Sequence, residues 1–298
     1  MKILLTGANG QVGYELWRTL QHFGEVIPTT RKGIQVNGIP TLAVDLGDKD
    51  DIQKKLATIQ PDHIVNAAAY TAVDKAEEYN GEAMSINANA PSIFSEYALK
   101  NDIYLTHYST DYVFSGQDHT PWTEQNETKP QSVYGESKLI GEHAIEESGC
   151  KHMIFRTAWV FSSRGHNFLK SMLRLAETKS ELNIVNDQFG SPTWAKSLAV
   201  ATALTLHQPK TGTYHMTSSG KTTWCGFARK IFEQAVKLKL IESSPIVNAI
   251  ASDQYPTPAK RPAYSVLDCS KLNDTFNIEM PSWQTALQLC MQEMRKED

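Results

Sequence analysis

The sequence predicts a doubly wound α/β fold of the Rossmann type, with a smaller substrate-binding domain interleaved at its C-terminal end. Three observations carry this prediction. Short apolar runs alternate with helical stretches through the first half, a glycine-rich turn follows the first run, and the alternation loosens after about residue 160. Apolar runs separated by helices mark a parallel sheet covered on both faces.

Taken in order, "KILLT" (2 to 6) is a strand and about Gln11 to His22 a helix. "EVIPT" and "TLAVD" (41 to 45) are strands, followed by a helix over 48 to 59 and the strand "HIVNAAA" (63 to 69). A long helix over about 80 to 100 leads to "IYLTHYS" (103 to 109), and a helix carrying Tyr134 leads to "HMIFRTAWVF" (152 to 161). Beyond that, "SSRGHN" reads as a loop, 167 to 178 as a helix, and 243 to 265 carries Pro245, Pro256, Pro258 and Pro262. The C-terminal "WQTALQLCMQEMRK" has helical periodicity. The expected division is a dinucleotide-binding domain over 1–157, completed by part of about 182–210, with 158–298 forming mainly the smaller domain.

Composition narrows the function. The chain of 298 residues is 41% hydrophobic, enough for a large core, and its net charge of −4 gives no broad basic footprint for nucleic acid. No apolar stretch suits a membrane span or signal core. Cys150, Cys225, Cys269 and Cys290 lie far apart with no metal-binding or disulfide spacing, which fits a reducing, cytoplasmic setting.

The first strand-to-helix turn, "TGANGQVGYEL", spaces Gly7, Gly10 and Gly13 by three. Glycines there permit a tight turn and close approach of a diphosphate to backbone N–H groups at a helix N-terminus. A plain βα turn is the blander alternative, but the position after the first strand favours a dinucleotide. An acid at the end of the second strand would hold the 2′-hydroxyl of NAD; this chain has Thr30, Arg31 and Lys32, and cations suit the 2′-phosphate of NADP.

In "VYGESKLIGE", Tyr134 and Lys138 stand one helical turn apart, so an ammonium could face a phenol and stabilise its anion. Tyrosine and lysine are common enough here that chance expects about one such spacing. Position adds weight, because "STDYVF" presents Ser109, Thr110 and Asp111 at the strand rim where a dinucleotide fold places its ligand. A rim hydroxyl, a tyrosine and a lysine together can deliver a proton to a carbonyl facing a nicotinamide.

Those motifs, with "IVNAAAYTAVDKAE", "FRTAWVF", "NDQFGSPTWA", "YPTPAKRP" and the late "PSWQ", resemble the extended short-chain dehydrogenase/reductases and, within them, the dTDP-4-dehydrorhamnose reductases, over nearly the whole length. The resemblance implies reduction of the 4-keto group of dTDP-6-deoxy-L-lyxo-4-hexulose, with NADP(H) preferred and NAD(H) possible. By motif, Gly10, Gln11 and Val12 would wrap the diphosphate, Asp45 and Leu46 flank the adenine, and Ala69, Tyr70, Thr71 and Tyr108 line the cofactor. Tyr134 would protonate the C4 oxygen, Lys138 would hold the ribose and lower the tyrosine pKa, Thr110 would bond the reacting oxygen, and Asp111 and Trp159 would contact the sugar. Read without the family, Asp111 is a loop cap and Trp159 core. The resemblance also implies a Mg²⁺ site through Glu15 and Glu293 at the interface of a homodimer. Two rivals share the fold: a nucleotide-sugar epimerase or dehydratase, and a non-catalytic subunit like the regulatory subunit of methionine adenosyltransferase. A dehydratase would place a second acid where this chain has Tyr112, and the regulatory relative alters the rim that here keeps Thr110, Asp111 and Trp159.

Overall fold

The computed structural model describes residues 1–295, so Lys296, the end of the predicted C-terminal helical stretch, lies outside the described residues. Its centre is a seven-stranded parallel sheet. The order is Gly212–His215, β6 (Lys151–Thr157), β5 (Tyr104–Thr110), β4 (His63–Asn66), β1 (Lys2–Thr6), β2 (Glu25–Thr30) and β3 (Leu42–Ala43). The order reverses between β1 and β4, and a ligand crevice forms beyond the carboxyl ends at such a switch point.

Alternation along β1 shows how both faces are used: Ile3 and Leu5 enter one core and Leu4 the other. On the first face, Leu16 and Leu20 of helix Gln11–Leu20 pack with Leu198 of helix Ala195–His207. On the second, helices Lys49–Ile59, Ala90–Asn101 and Val133–Ser148 supply Leu56, Phe94 and Ile145. Helix Ala195–His207 and strand Gly212–His215 thus return the chain to the sheet as far as residue 215.

Several elements differ from the sequence reading for local reasons. The predicted strand 152 to 161 divides into β6 and Val160–Phe161 because Trp159 adopts φ +49° between them. The predicted helix over 80 to 100 is helical throughout but carries a π-type segment at Ser85–Asn89. Pro245 directly precedes a strand, Ile246–Ile250, that pairs in parallel with Glu181–Val185. This second lobe has its own core, in which helices Phe168–Ala176, Trp224–Leu238 and Trp283–Met294 bury Met172, Phe227, Ile231 and Leu287.

Candidate active site

The glycine turn is closed on itself. Gly7 has φ +71°, Gly10 N–H donates to the Gly7 carbonyl at 2.8 Å, and a Cβ on Gly13 would lie 2.1 Å from that same carbonyl oxygen. A Cβ on Gly7 would meet the Ala68 backbone at 2.8 Å, so the turn also lies against the chain leaving β4. Helix Gln11–Leu20 starts from Gly10 with no side-chain cap and no acid in its first turn. Its leading N–H groups and positive end therefore suit an anion. Gln11 turns toward the second lobe: its Oε1 accepts from Asn167 at 2.9 Å, while Val12 packs on the first core. Loop Ser162–Asn167 lies over the same turn, with the Arg164 guanidinium 3.8 Å above the Tyr14 ring.

At the far side of the crevice, β5 ends in Ser109 and Thr110, and Asp111 opens a short 3₁₀ turn capped by the Thr110 hydroxyl, which accepts from Tyr112 N–H. Ser132 caps helix Val133–Ser148 and sends Tyr134 toward this rim. Burial pushes the Tyr134 phenol above its ordinary range; a hydrogen bond with Thr110 opposes this, and Asp111 and Tyr112 reinforce it. Burial likewise pushes the Asp111 carboxyl up to about 6, against hydrogen bonds from Ser265 and Thr110. Ser109 Oγ, Asp111 Oδ2 and Thr157 Oγ1 are buried with no hydrogen-bond partner among the described residues, at the ends of the adjoining β5 and β6. Unpaired buried oxygens are rare in folded proteins, and Asp111 Oδ2 lies at the rim next to Thr110, while the register turns Ser109 and Thr157 to opposite faces of the sheet.

Lys138 is 1% exposed, and its Nζ donates to the Tyr108 carbonyl at 2.6 Å and lies 2.9 Å from His107 Nε2. Burial brings its pKa down to about 8, with Glu142 opposing. The spacing in sequence suggested that the ammonium would lower the phenol; here Lys138 is engaged on β5 and burial dominates at Tyr134. The sequence also missed that Tyr108 offers its carbonyl to this site while its ring belongs to the opposite core, where its hydroxyl meets Thr202 at 2.5 Å.

Trp159 is half-buried. Its ring stacks on Trp224 with centroids 3.5 Å apart, and a Cβ on Gly190 would meet the indole at 2.4 Å, so only glycine fits there. A left-handed backbone at a bulky residue is costly and clusters at functional sites. Trp224 in turn lines a cavity of about 420 Å³ with Phe168, Tyr255 and Arg261. Arg261 pairs with Asp74 at 2.8 Å and lies beside Tyr112, whose ring meets Tyr134 edge-on at 5.5 Å. Sequence reading named neither Trp224 nor Arg261, although Arg261 lies in "YPTPAKRP", one of the stretches that carry the resemblance.

Around β2 the picture is more open. Arg31 extends into solvent and is shared by Asp45 and Glu82, each at 3.2 Å. Asp45 also accepts from Gly47 N–H at 2.9 Å, and Leu46 is buried in the second core. Ala69 and Tyr70 are partly exposed and Thr71 exposed, with the Tyr70 backbone held at both N–H and C=O by Asn87 of the π-type segment. Glu15 and Glu293, the residues expected to hold Mg²⁺ between two copies of the chain, lie near each other, and each is paired with a cation. Glu15 is bonded to Arg18 at 3.5 Å and Glu293 to Lys196, and no group of three or more metal-ligating side chains occurs among the described residues. Magnesium needs an octahedral oxygen set, so a site here would draw its remaining ligands from water or a second copy of the chain.

Comparison with known proteins agrees with this geometry. Residues 1–296 match the family described as RmlD substrate binding domain. The chain belongs to that family. It is 43% identical to dTDP-4-dehydrorhamnose reductase of Burkholderia thailandensis and 42% identical to that of Escherichia coli K12, covering 99% of this chain in both and 99% and 98% of those proteins. Among solved structures, a dTDP-4-dehydrorhamnose reductase from Clostridium acetobutylicum superposes with a TM-score of 0.90 at 35% identity, covering 99% of this chain and 100% of that one. One from Bacillus anthracis in complex with NADP superposes with a TM-score of 0.89 at 32% identity, covering 98% and 99%. A UDP-glucose 4-epimerase from Thermus thermophilus, at 20% identity and a TM-score of 0.81, shares the fold.

Proposed function

We propose that the protein reduces the 4-keto group of dTDP-6-deoxy-L-lyxo-4-hexulose to give dTDP-L-rhamnose, with NADPH as the preferred reductant. The observation that carries this reading is the Tyr134 ring set edge-on at 5.5 Å to Tyr112, directly after Thr110 and Asp111 at the β5 rim, with Lys138 buried one turn behind the tyrosine. The glycine turn fits a dinucleotide diphosphate because its glycines leave no room for a Cβ and the helix behind it begins uncapped. Gly7, Gly10, Gln11, Val12 and Gly13 would hold that diphosphate, Asp45 and Leu46 the adenine end, Ala69, Tyr70 and Thr71 the middle, and Lys138 the nicotinamide ribose. Arg31 would exchange a carboxylate partner for the 2′-phosphate. When bound, the nicotinamide supplies the hydride.

The chain's own residues do the rest. Thr110 orients the keto oxygen by a hydrogen bond, and Tyr134 delivers a proton to it, which general acid catalysis makes worth about 10²- to 10⁴-fold. The Lys138 charge offsets the phenolate left behind. Asp111 and Trp159 contact the hexulose, and the cavity lined by Phe168, Trp224 and Arg261 receives the nucleotide end, so that the lobe from residue 158 onward is mainly the substrate-binding part. The relatives named dTDP-4-dehydrorhamnose reductase support the choice of substrate. We place the reaction in the cytoplasm: no described helix is long and apolar enough to cross a membrane, and all four cysteines are free thiols. NADPH consumption with the 4-keto sugar nucleotide, with the product identified by NMR as dTDP-L-rhamnose, tests the reading. No consumption, or an epimerised keto sugar, overturns it.

A further inference from the structure

The carboxyl ends of three adjacent strands carry a row of polar residues in register: Thr6 on β1 faces Asn66 on β4, which faces His107 on β5. All three are buried. The Thr6 hydroxyl lies 2.6 Å from Asn66 Oδ1, Asn66 Nδ2 lies 2.9 Å from His107 Nδ1, and His107 Nε2 lies 2.9 Å from Lys138 Nζ. The row ends at the lysine, and nothing in the roles given above to Tyr134, Lys138 and Thr110 uses it.

The donor and acceptor inventory ties these groups together. A neutral imidazole carries one N–H, and an ammonium donates but cannot accept. If Asn66 presents its NH₂ to Nδ1, the ring proton sits on Nε2 and faces Lys138, which suits a neutral amine alone. If the amide is rotated by 180°, its oxygen accepts from Nδ1–H, and Nε2 offers its lone pair to the Lys138 ammonium. The same atomic positions therefore serve two states, and amide orientation, ring tautomer and lysine charge change together.

We propose that His107 is the positioning residue for Lys138, holding it as an ammonium through the Nδ1–H tautomer that Asn66 fixes. The inference rests on the reading of Tyr134 and Lys138 as the reductase pair, since that chemistry requires the cation. The other groups around the lysine do not replace His107. The Tyr108 carbonyl takes only one of the three ammonium N–H groups, and Glu142, one turn along the same helix, is bound by Arg156 of β6 at 2.6 Å. His63 on β4 is turned to Thr106. A doubly protonated His107 is excluded by burial and by the lysine charge, which together hold its pKa well below the ordinary value.

The test compares wild type, His107→Leu and His107→Gln by two readouts. Titration of Lys138 is followed in ¹³C-lysine-labelled protein by the Cε signal, assigned with Lys138→Met, and the alkaline limb of kcat/KM is measured in parallel. His107→Leu removes an acceptor from the ammonium, so both should move to lower pH by about one unit, the scale of a charge-assisted hydrogen bond. His107→Gln, whose amide oxygen can still accept, should restore most of the shift. In labelled wild type near neutral pH, ¹⁵N NMR should show His107 with its proton on Nδ1. A proton on Nε2, or a Leu variant whose lysine titrates at or above the wild-type pH, overturns the proposal. If His107→Leu does not fold, the tautomer and the Gln variant still decide it. If wild type does not reduce the sugar nucleotide at all, the reductase reading fails while the lysine titration still judges His107.

Discussion

Lys138 and Arg31 are the two basic residues to which the proposed function gives cofactor contacts, and the fold treats them in opposite ways. Lys138 is sealed between helix Val133–Ser148 and β5, with a fixed partner at each of two contacts. Arg31 stands in solvent with 61% of its side chain exposed and is shared by two half-exposed carboxylates. A buried cation whose partners are fixed has essentially one geometry, and losing a partner leaves a desolvated polar group behind. An exposed ion pair is worth about 0–1 kcal/mol and exchanges partners freely. Under the proposed function, the first region carries the chemistry and the second the cofactor preference.

Breaking the buried region should have the largest effect. Lys138→Met is expected to depress kcat by about 10²-fold or more and to weaken NADPH binding, read by nucleotide fluorescence, because it removes the cation that the proposed mechanism uses to offset the phenolate and strands its His107 and Tyr108 partners. Turnover and affinity within twofold of wild type would place the chemistry elsewhere.

Trp159→Ala comes next. If the indole is a wall of the sugar site, kcat/KM for the sugar nucleotide should fall by about tenfold or more while NADPH affinity stays near wild type and Tm drops modestly. A core tryptophan would instead cost about 3–5 kcal/mol and pull down cofactor binding with stability. The stacking on Trp224 makes some loss of stability certain, so the ratio of the two effects is the informative quantity.

Asp111 gives a pH signature. Burial raises its folded pKa to about 6 from an ordinary 3.8, so the folded state holds the proton more tightly, and its contribution to stability is full below about pH 4 and lost as pH rises toward 6. Asp111→Asn should therefore be more stable than wild type at pH 7, by up to about 3 kcal/mol, with the difference vanishing near pH 4. The same variant should lose sugar-nucleotide turnover. Equal melting curves at both pH values would show that the carboxylate is stabilised by partners other than those described.

The smallest effect belongs to the exposed region. Arg31→Asp should lower the NADPH/NADH ratio of kcat/KM by about tenfold with little change in Tm, since the residue stabilises nothing buried. An unchanged ratio would mean that the guanidinium serves its carboxylates alone.

How much was legible follows the same division. The sheet, its helices and the glycine turn were readable because parallel strands are apolar runs and glycines in a βα turn have few other uses. Tyr134 and Thr110 were readable as a spacing at a predicted strand end. The break at Trp159 was not, because a left-handed residue in "RTAWVF" leaves no compositional mark, and the π-type segment at Ser85–Asn89 keeps helical composition. The Thr6, Asn66 and His107 row left a faint trace, polar residues near the ends of three otherwise apolar strands. Its meaning needed the register that sets them side by side.

The central claim is that Tyr134 is the proton donor in a reduction, and a single-turnover measurement tests it most directly. Wild type and Tyr134→Phe, each loaded with NADPH, are mixed with dTDP-6-deoxy-L-lyxo-4-hexulose, and nucleotide oxidation is followed by stopped flow, with the NADPH Kd measured on the same samples. The phenyl ring keeps the packing against Tyr112, so the variant should bind NADPH as wild type does and oxidise it about 10²- to 10⁴-fold more slowly. Oxidation by the variant at the wild-type rate would contradict the account.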